Sequence, residues 1–421
     1  MSFSGLVTLG VLTHHLGPVR FGVIALYRTV LTIVDQYASF NTWQTIIKYG
    51  TEQIAANKPN ELKRLIKLAF VIDITTSCIG CLVVVGLAFV VPHRFGWTHQ
   101  EAMLCAIYAI TLISKVSGTS DGIYRIFDAY RVQAIIGSIG SAVMTLTVVI
   151  AVLLGAGFVG CVLALIFGEV ASNLAGTFAS FWVAHRAGFG GWFRMKLGGI
   201  RRDHPGLFRF LVSTNAQTTL KTSQAELDMV VVGAMLGKAE AGLYRVVKQL
   251  GTIPGRVFMS FEQVLYTELA RFAAAKDYRS FRSLLRRSTA VALALSTLIW
   301  VAVAIGAPVI VDAVAGSAFA EAVDPVRWYL LAMVLQIAAA PNMRAMIALG
   351  RPGTLLLFDS GGLVIMLAAV VVGGLELGLV GVALAILVHR GLQLAWSSTW
   401  VLRHVRGLEK ERELQLAAGA R

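Results

Sequence analysis

Long uninterrupted apolar runs recur along the whole chain, and they constrain its fold more than any other feature. Residues 65–92 and 290–311 are two examples, and each is long enough to cross a hydrocarbon core about 30 Å thick. Apolar residues make up 57% of the 421 residues and charged residues only 14%, which is too few to cover a water-soluble surface. The sequence therefore predicts an all-α polytopic membrane protein, because helices satisfy their own backbone hydrogen bonds within lipid.

Polar breaks divide the apolar sequence into about twelve predicted membrane-spanning helices. The first, residues 1–16, is curtailed, because a crossing needs roughly 20 apolar residues. This segment also lacks the basic start and the cleavage site of a secretory signal. The other predicted crossings are residues 21–46, 65–91, 101–124, 132–154, 158–184, 207–236, 241–267, 288–311, 326–349, 354–374 and 378–402.

The distribution of basic residues gives an independent check on these crossings, since cytoplasmic loops are enriched in Lys and Arg. If both termini are cytoplasmic, most of the 37 basic residues fall in inner segments or adjoining helix ends. Lys115 is the doubtful member of that group, because it lies well inside its predicted helix. The predicted outer segments hold Arg20, Arg94, Lys238 and Arg327. This bias predicts a multi-pass protein with both termini in the cytoplasm.

The chain is predicted to consist of two halves that partly repeat each other. Leu16-Gly17 is followed by Tyr27-Arg28, and Leu236-Gly237 is followed in the same way by Tyr244-Arg245. Six predicted helices separate equivalent points, so the repeat is parallel and indicates two six-helix bundles related by a pseudo-two-fold axis along the membrane normal. The predicted divisions are an N-terminal bundle at 1–187, a basic cytoplasmic linker at 188–204, a C-terminal bundle at 205–402 and a cytoplasmic tail at 403–421.

Six basic residues fall inside predicted helices, where each costs roughly 2.5 to 3.5 kcal/mol at the bilayer centre. They are Arg28, Lys221, Arg245, Lys248, Arg256 and Arg390. Facing lipid together they would destabilise the protein beyond what it tolerates, so they must face protein or water. One interpretation is a set of buried ion pairs, for example Lys221 with Glu226 or Asp228.

The spacing of the polar residues favours a second interpretation, a water-filled cationic cavity between the bundles. In the seventh crossing, positions three or four apart form one polar stripe, made of Thr214, Gln217, Lys221, Gln224 and Asp228. In the eighth, Arg245, Lys248 and Arg256 lie on one side of the helix, although Pro254 interrupts it. Arginine and lysine bind phosphate oxygens well, which predicts an anionic substrate. The predicted substrate-binding residues are Arg28, Lys221, Arg245, Lys248 and Arg256.

Acidic residues also fall inside the predicted helices. Asp35, Asp228 and Asp359 are candidate ion-coupling groups, because buried carboxylates bind protons or Na⁺ in pumps and symporters. The alternative is that such groups balance the buried basic residues, with Asp359 and Arg390 as one pair. The same choice applies to Asp73, Glu169 and Glu226.

Enzymatic and metal-binding motifs are not found in the sequence. The segment GAMLGKA at 233–239 has the wrong spacing for a phosphate-binding loop and lacks the Ser or Thr that holds Mg²⁺. Cys78 and Cys81 form a C-x-x-C within an apolar run, which indicates packing rather than redox chemistry. The positive charge is not gathered in an exposed basic domain, which argues against nucleic-acid binding. We therefore expect neither enzymatic activity nor a cofactor, a metal or a nucleic-acid partner.

Several longer motifs resemble those of the polysaccharide-export flippases of the multidrug/oligosaccharidyl-lipid/polysaccharide (MOP) superfamily. LGPVRFG at 16–22 resembles the motif that follows the first helix in that family. LDMVVVGAMLGKAEAGLYRVVKQL at 227–250 and VLYTELARFAAAKDYRSFRSLLRRS at 264–288 are similar to two further family segments, although Thr267 replaces a frequent proline. A second departure is the short first helix.

The resemblance implies a flippase in the bacterial inner membrane that turns a polyprenyl-pyrophosphate-linked oligosaccharide outward for O-antigen, capsule or exopolysaccharide synthesis. Its implied partners are that lipid-linked substrate, membrane lipid and, as further expectations, a polysaccharide polymerase or glycosyltransferases. Two alternatives remain open. One is an ion-coupled multidrug exporter of the same superfamily, against which the basic excess argues. The other is a membrane scaffold for polysaccharide enzymes that transports nothing.

Overall fold

The computed structural model describes residues 3–40, 42–90, 92–198 and 206–419, and within them nearly every residue is helical. Eight helical stretches in these ranges are long and apolar enough to cross a membrane. The chain is therefore an all-α polytopic membrane protein, as the apolar runs predict. Its residues group into two compact units that divide between Ala241 and Gly242.

The first unit contains helices α1 to α10 and two short segments of other helix types. The helices are α1 Phe3–Ala38, α2 Thr42–Ala55, α3 Pro59–Val90, α4 Pro92–Phe95, α5 His99–Tyr108, α6 Ile110–Ile113, α7 Ser117–Ile126, α8 Tyr130–Leu153, α9 Phe158–Ala184 and α10 Leu207–Met235. A π-helical turn, His185–Phe189, and a 3₁₀ turn, Trp192–Arg194, follow α9.

The second unit contains most of α11 and all of the helices after it. These are α11 Lys238–Ala274, α12 Tyr278–Ala315, α13 Val323–Ala348 and α14 Pro352–Gly419, with a 3₁₀ segment Ser317–Ala322 between α12 and α13. Phe281 and Leu285 of α12 pack with Met346 of α13 and with Val401 and Val405 of α14. The segment predicted as a tail at 403–421 thus continues α14 through residue 419.

A glycine divides each of the helices α1 and α14. Gly17 has φ 68° and ψ 177°, and Gly378 has φ 58° and ψ −140°. Glycine adopts positive φ without steric cost, so the chain turns at both points and α1 and α14 each comprise two helices. The part of α1 before Gly17 corresponds to the curtailed first crossing. With these divisions, a helix or a group of helices lies at each predicted crossing within the described ranges.

Two predicted crossings differ from the structure in their details. The crossing predicted at 21–46 is wrong at its end, since the helix stops at Ala38 and Thr42–Ala55 forms the separate α2. Polar residues such as Gln44, Lys48 and Glu52 on α2 explain why it does not continue the apolar helix. The crossing predicted at 101–124 consists of the three helices α5, α6 and α7.

Local backbone geometry agrees with an internal repeat. Gly17 and Gly237, which the repeat aligns, both have positive φ, at 68° and 105°. Asn57 and Lys276 both have φ 55° although neither is glycine, and each ends a helix with the same hydrogen-bond pattern. Two turns of unusual geometry therefore recur at similar spacing.

The described part of the predicted linker, residues 188–198, is attached to α3. The guanidinium of Arg64 donates to the carbonyl of Lys196 at 3.1 Å, and the Lys67 ammonium donates to those of Phe193 and Met195 at 2.8 Å. Helix α10, on the far side of the linker, groups with the first unit. The boundaries of the two bundles and of the linker stay a prediction.

Candidate functional site

A polar cavity of about 300 Å³ opens within the first unit. Its lining comes from four crossings, which explains how an apolar bundle assembles a polar site from residues far apart in sequence. The lining residues are Arg28, Leu31, Thr32, Asp35, Tyr108, Thr111, Leu112, Lys115, Gly140, Ser141, Met144, Glu169, Ser172 and Asn173.

Arg28 of α1 ion-pairs with Glu169 of α9 at one end of this cavity. The guanidinium Nη2 donates to Glu169 Oε1, and the hydroxyl of Tyr108 donates to the same oxygen at 2.9 Å. The side chains of Arg28 and Glu169 are 33% and 22% exposed, so both reach the cavity while they hold each other. Charge-assisted bonds of this kind orient a guanidinium, and the pair presents Arg28 to whatever enters.

Lys115 and Asp35 form a second ion pair in the same lining. The ammonium of Lys115 lies 2.6 Å from Asp35 Oδ2, and Ser39 Oγ donates to Asp35 Oδ1 at 2.9 Å. Lys115 sits in the break between α6 and α7, so the interrupted helix lets its side chain turn toward α1. Two neighbouring cavities of about 180 Å³ and 230 Å³ also border Lys115.

Next to Lys115, a buried carboxylate joins three helices. Asp73 of α3 is 5% exposed. Its carboxylate accepts from Thr42 Oγ1 at 2.8 Å, and from the backbone N–H and the hydroxyl of Thr119 at 2.6 and 2.7 Å. These bonds hold the start of α7, and therefore the break that positions Lys115.

Arg28 and Asp35 line the cavity of the first unit, whereas Arg245 and Lys248 lie on α11 in the second unit. Lys248 is 8% exposed and lies 5.8 Å from the centre of the Tyr244 ring, which is a weak cation–π contact. Arg245 is half-buried on the same helix. Both belong to the second unit, whereas Arg28 belongs to the first. The side chains of Lys221 and Arg256 lie outside the described part of the chain.

The remaining predicted ion-coupling residues, Asp228 and Asp359, belong to different units of the chain. Asp228 of α10 is 4% exposed and accepts from the backbone N–H of Met229 at 2.7 Å. In the second unit, Arg390 donates to Gln393 at 2.9 Å, and Gln393 donates to Asp359 at 3.4 Å. Gln393 thus connects the two charges that the sequence suggests as a pair.

Some lining residues do not stand out in the sequence. Tyr108 and Asn173 carry no charge, so their positions in apolar helices give no signal of a site. From the sequence alone, Lys115 can belong either to a cytoplasmic loop or to the middle of a helix. The structure places it in the break between α6 and α7. Glu169 is recognisable as an acidic residue in mid-helix, but its partner Arg28 lies 141 positions away and cannot be identified from spacing.

Comparisons with known proteins complete the description. The model of a family described as "Polysaccharide biosynthesis protein" matches residues 11–324. The chain belongs to this family. The inner membrane protein YghQ of Escherichia coli (strain K12) is 27% identical to this chain over 330 residues, which cover 76% of this chain and 90% of that protein.

Solved structures show the fold of this chain. A multidrug resistance MATE family transporter of the MOP superfamily, in an inward-facing conformation, matches with a TM-score of 0.81 and 12% identity, covering 97% of this chain and 96% of that one. The lipid II flippase MurJ, in an inward closed conformation, matches with a TM-score of 0.71 and 13% identity, covering 99% and 89%. The chain is thus a multi-pass membrane protein whose fold is shared with a MATE family transporter and with the lipid II flippase MurJ.

Proposed function

We propose that this chain is a flippase that moves a polyprenyl-pyrophosphate-linked oligosaccharide across the bacterial inner membrane for polysaccharide biosynthesis. The observation that carries the proposal is the polar cavity in the first unit, where Arg28 and Lys115 stand beside acidic partners inside an apolar bundle. Family membership supports a role in polysaccharide biosynthesis. The likeness to an inner membrane protein supports the location.

The cavity offers basic partners for a phosphate group inside an apolar bundle. In the absence of substrate, Glu169 and Asp35 neutralise Arg28 and Lys115. A pyrophosphate also presents negatively charged oxygens, so it replaces first one carboxylate and then the other as the partner of the basic groups. Because Arg28 provides a planar fork of donors, it binds phosphate through two bonds at once. This exchange keeps both basic groups paired throughout the cycle, and each displaced carboxylate takes up a proton as it loses its basic partner.

The other parts of the substrate fit surfaces of different polarity. Hydroxyl and amide groups of Ser141, Ser172 and Asn173 border the cavity and suit the hydroxyls of a sugar, whereas the polyprenyl chain stays in lipid. Transport proceeds by alternating access, with two bundles rocking about the site. Lys221, Arg245, Lys248 and Arg256 complete the proposed substrate-binding set, and Asp35, Asp228 and Asp359 are the proposed ion-coupling groups.

Neutralising the Arg28–Glu169 pair tests this proposal. We expect Arg28→Gln to reduce export of surface polysaccharide at least tenfold at unchanged protein level, since one charged hydrogen-bond partner contributes about 1.5–3 kcal/mol. Arg28→Lys keeps the positive charge but loses the planar pair of guanidinium donors. The amount of polysaccharide that this variant exports should therefore lie between the amounts exported by the wild type and by Arg28→Gln. The measurement is surface polysaccharide in cells that lack their own flippase.

The double variant Arg28→Gln, Glu169→Gln distinguishes a role of Arg28 in substrate binding from a role in holding α1 to α9. If the ion pair only holds α1 to α9, neutralising both residues removes the unpaired charge and restores export. If Arg28 binds substrate, the double variant regains its melting temperature and still fails to export. Normal export by the double variant would overturn the assigned site, and a gain of drug resistance instead of polysaccharide export would favour the multidrug exporter.

A further inference from the structure

Four arginines line a cavity of about 340 Å³ at the start of α12, in the second unit. Its lining consists of Arg279, Arg282, Ser283, Arg286 and Arg287. Arg279, Arg286 and Arg287 are exposed and Arg282 is half-buried. Within the described residues, the carboxylate of Glu409 pairs with Arg282 at 3.2 Å. The cavity therefore carries a clear excess of positive charge.

Helical periodicity gathers these side chains on one face. Positions 279, 282, 286 and 287 are separated by three, four and one residues, so their side chains project within about 140° of one another. The opposite face is apolar, and Phe281 and Leu285 are buried in the core of the second unit. The arginine face is thus directed away from that core.

The cavity lies at the predicted boundary between lipid and water. The apolar run at 290–311 begins directly after Arg287, so the arginines lie at the end of a predicted crossing. The end of α14 packs beside this part of α12, through Val401 and Val405 and the ion pair with Glu409. A phosphate at this depth leaves two acyl chains free to extend along the apolar part of α12.

We propose that Arg279, Arg282, Arg286 and Arg287 form a binding site for the phosphate headgroup of an anionic membrane phospholipid. Guanidinium groups bind phosphate oxygens in pairs, and basic pockets at the ends of membrane helices bind anionic headgroups. Glu409 acts as an internal competitor, since it already occupies Arg282. The site is independent of the proposed transport function, because none of its residues lines the cavity of the first unit.

Lipid titration of the purified full-length chain in neutral detergent tests the proposal. Native mass spectrometry counts bound phosphatidylglycerol and gives its dissociation constant, with phosphatidylcholine as the zwitterionic comparison. We expect the double variant Arg286→Gln, Arg287→Gln to weaken phosphatidylglycerol binding about thirtyfold, because each basic residue near an anionic surface contributes about 1 kcal/mol. Glu409→Gln should strengthen it about fivefold by removing the competitor.

The matched control removes the same charge elsewhere on the second unit. Arg271 and Arg351 are exposed and do not line the cavity, so the double variant Arg271→Gln, Arg351→Gln should bind phosphatidylglycerol like the wild type. Equal weakening in both double variants would overturn the site in favour of general surface charge. Inorganic phosphate that displaces the lipid at equal concentration would overturn the lipid assignment. Melting temperatures of the variants verify that each is folded.

Discussion

At the scale of single residues, the stability of the first unit depends on a few polar side chains in apolar surroundings. Asp73 is the clearest case, because one buried carboxylate accepts hydrogen bonds from Thr42 and from two groups of Thr119. Removing a buried acceptor of this kind destabilises the protein, because its donors are then buried without a partner. Asp73 thus connects α2 and α7 to α3. It also stabilises the helix break in which Lys115 lies, and from there Lys115 forms its ion pair with Asp35.

We predict that Asp73→Ala lowers the free energy of unfolding by about 3 kcal/mol, since it leaves the Thr119 N–H and two hydroxyls without their acceptor. Asp73→Asn should cost less, because its carbonyl oxygen still accepts one or two of these bonds. The matched control is Thr75→Val on the same helix, whose hydroxyl bonds only to its own helix at Val71. Thermal unfolding in detergent measures stability, and hydrogen exchange at Thr119 measures the local effect. A protected Thr119 amide in Asp73→Ala would contradict the prediction.

At the scale of helices, glycines decide how closely α8 and α9 approach. A Cβ atom on Gly168 would lie 2.7 Å from Met144 Cα and 2.9 Å from Thr147 Oγ1. Small residues allow such close packing between membrane helices. Met144 and Glu169, next to this contact, both line the cavity. The width of the cavity therefore depends on the Gly168 contact.

We predict that Gly168→Ala lowers the melting temperature by several degrees and weakens export, because the methyl group meets the backbone of α8 and pushes the two helices apart. Gly176→Ala is the matched control on the same helix, since a Cβ there meets nothing within 4 Å. That variant should melt at or above the wild-type temperature, because alanine favours the helix over glycine. Equal melting temperatures of the two variants would refute the role of the contact.

The helices were largely predictable from sequence, whereas the way they meet was not. Apolar runs predict the crossings, and Gly17 and Gly237, which belong to the repeated motifs, both have positive φ. The break around Lys115 was missed, because it rests on tertiary hydrogen bonds to Asp73 and not on a local signal such as proline. Likewise, the partners of Arg28 and Lys115 are chosen by helix packing, which spacing along one chain does not encode.

At the scale of the whole molecule, the packing of α10 raises the question of which parts move together. Tyr37 and Ser223 share a hydrogen bond of 2.8 Å, and Thr219 Oγ1 donates to the carbonyl of Gln36 at 3.3 Å. A Cβ on Gly233 would lie 3.2 Å from Leu26 Cγ. Helix α10 thus follows α1 along much of its length, although the predicted C-terminal bundle at 205–402 includes it. Alternating access by the predicted bundles requires α1 and α10 to separate.

We predict that a disulfide between Leu26→Cys and Gly233→Cys blocks polysaccharide export and that a reductant restores it. The four native cysteines, which form no disulfide, are replaced by alanine in this experiment. The matched control joins Ala38→Cys to Gly80→Cys, whose Cβ atoms lie 3.4 Å apart, close to the spacing that a disulfide needs. It links α1 to α3 within the first bundle and should leave export intact. Full export by the cross-linked Leu26–Gly233 pair would mean that α10 moves with the first unit, and that the functional boundary lies near residue 241 instead of in the linker at 188–204.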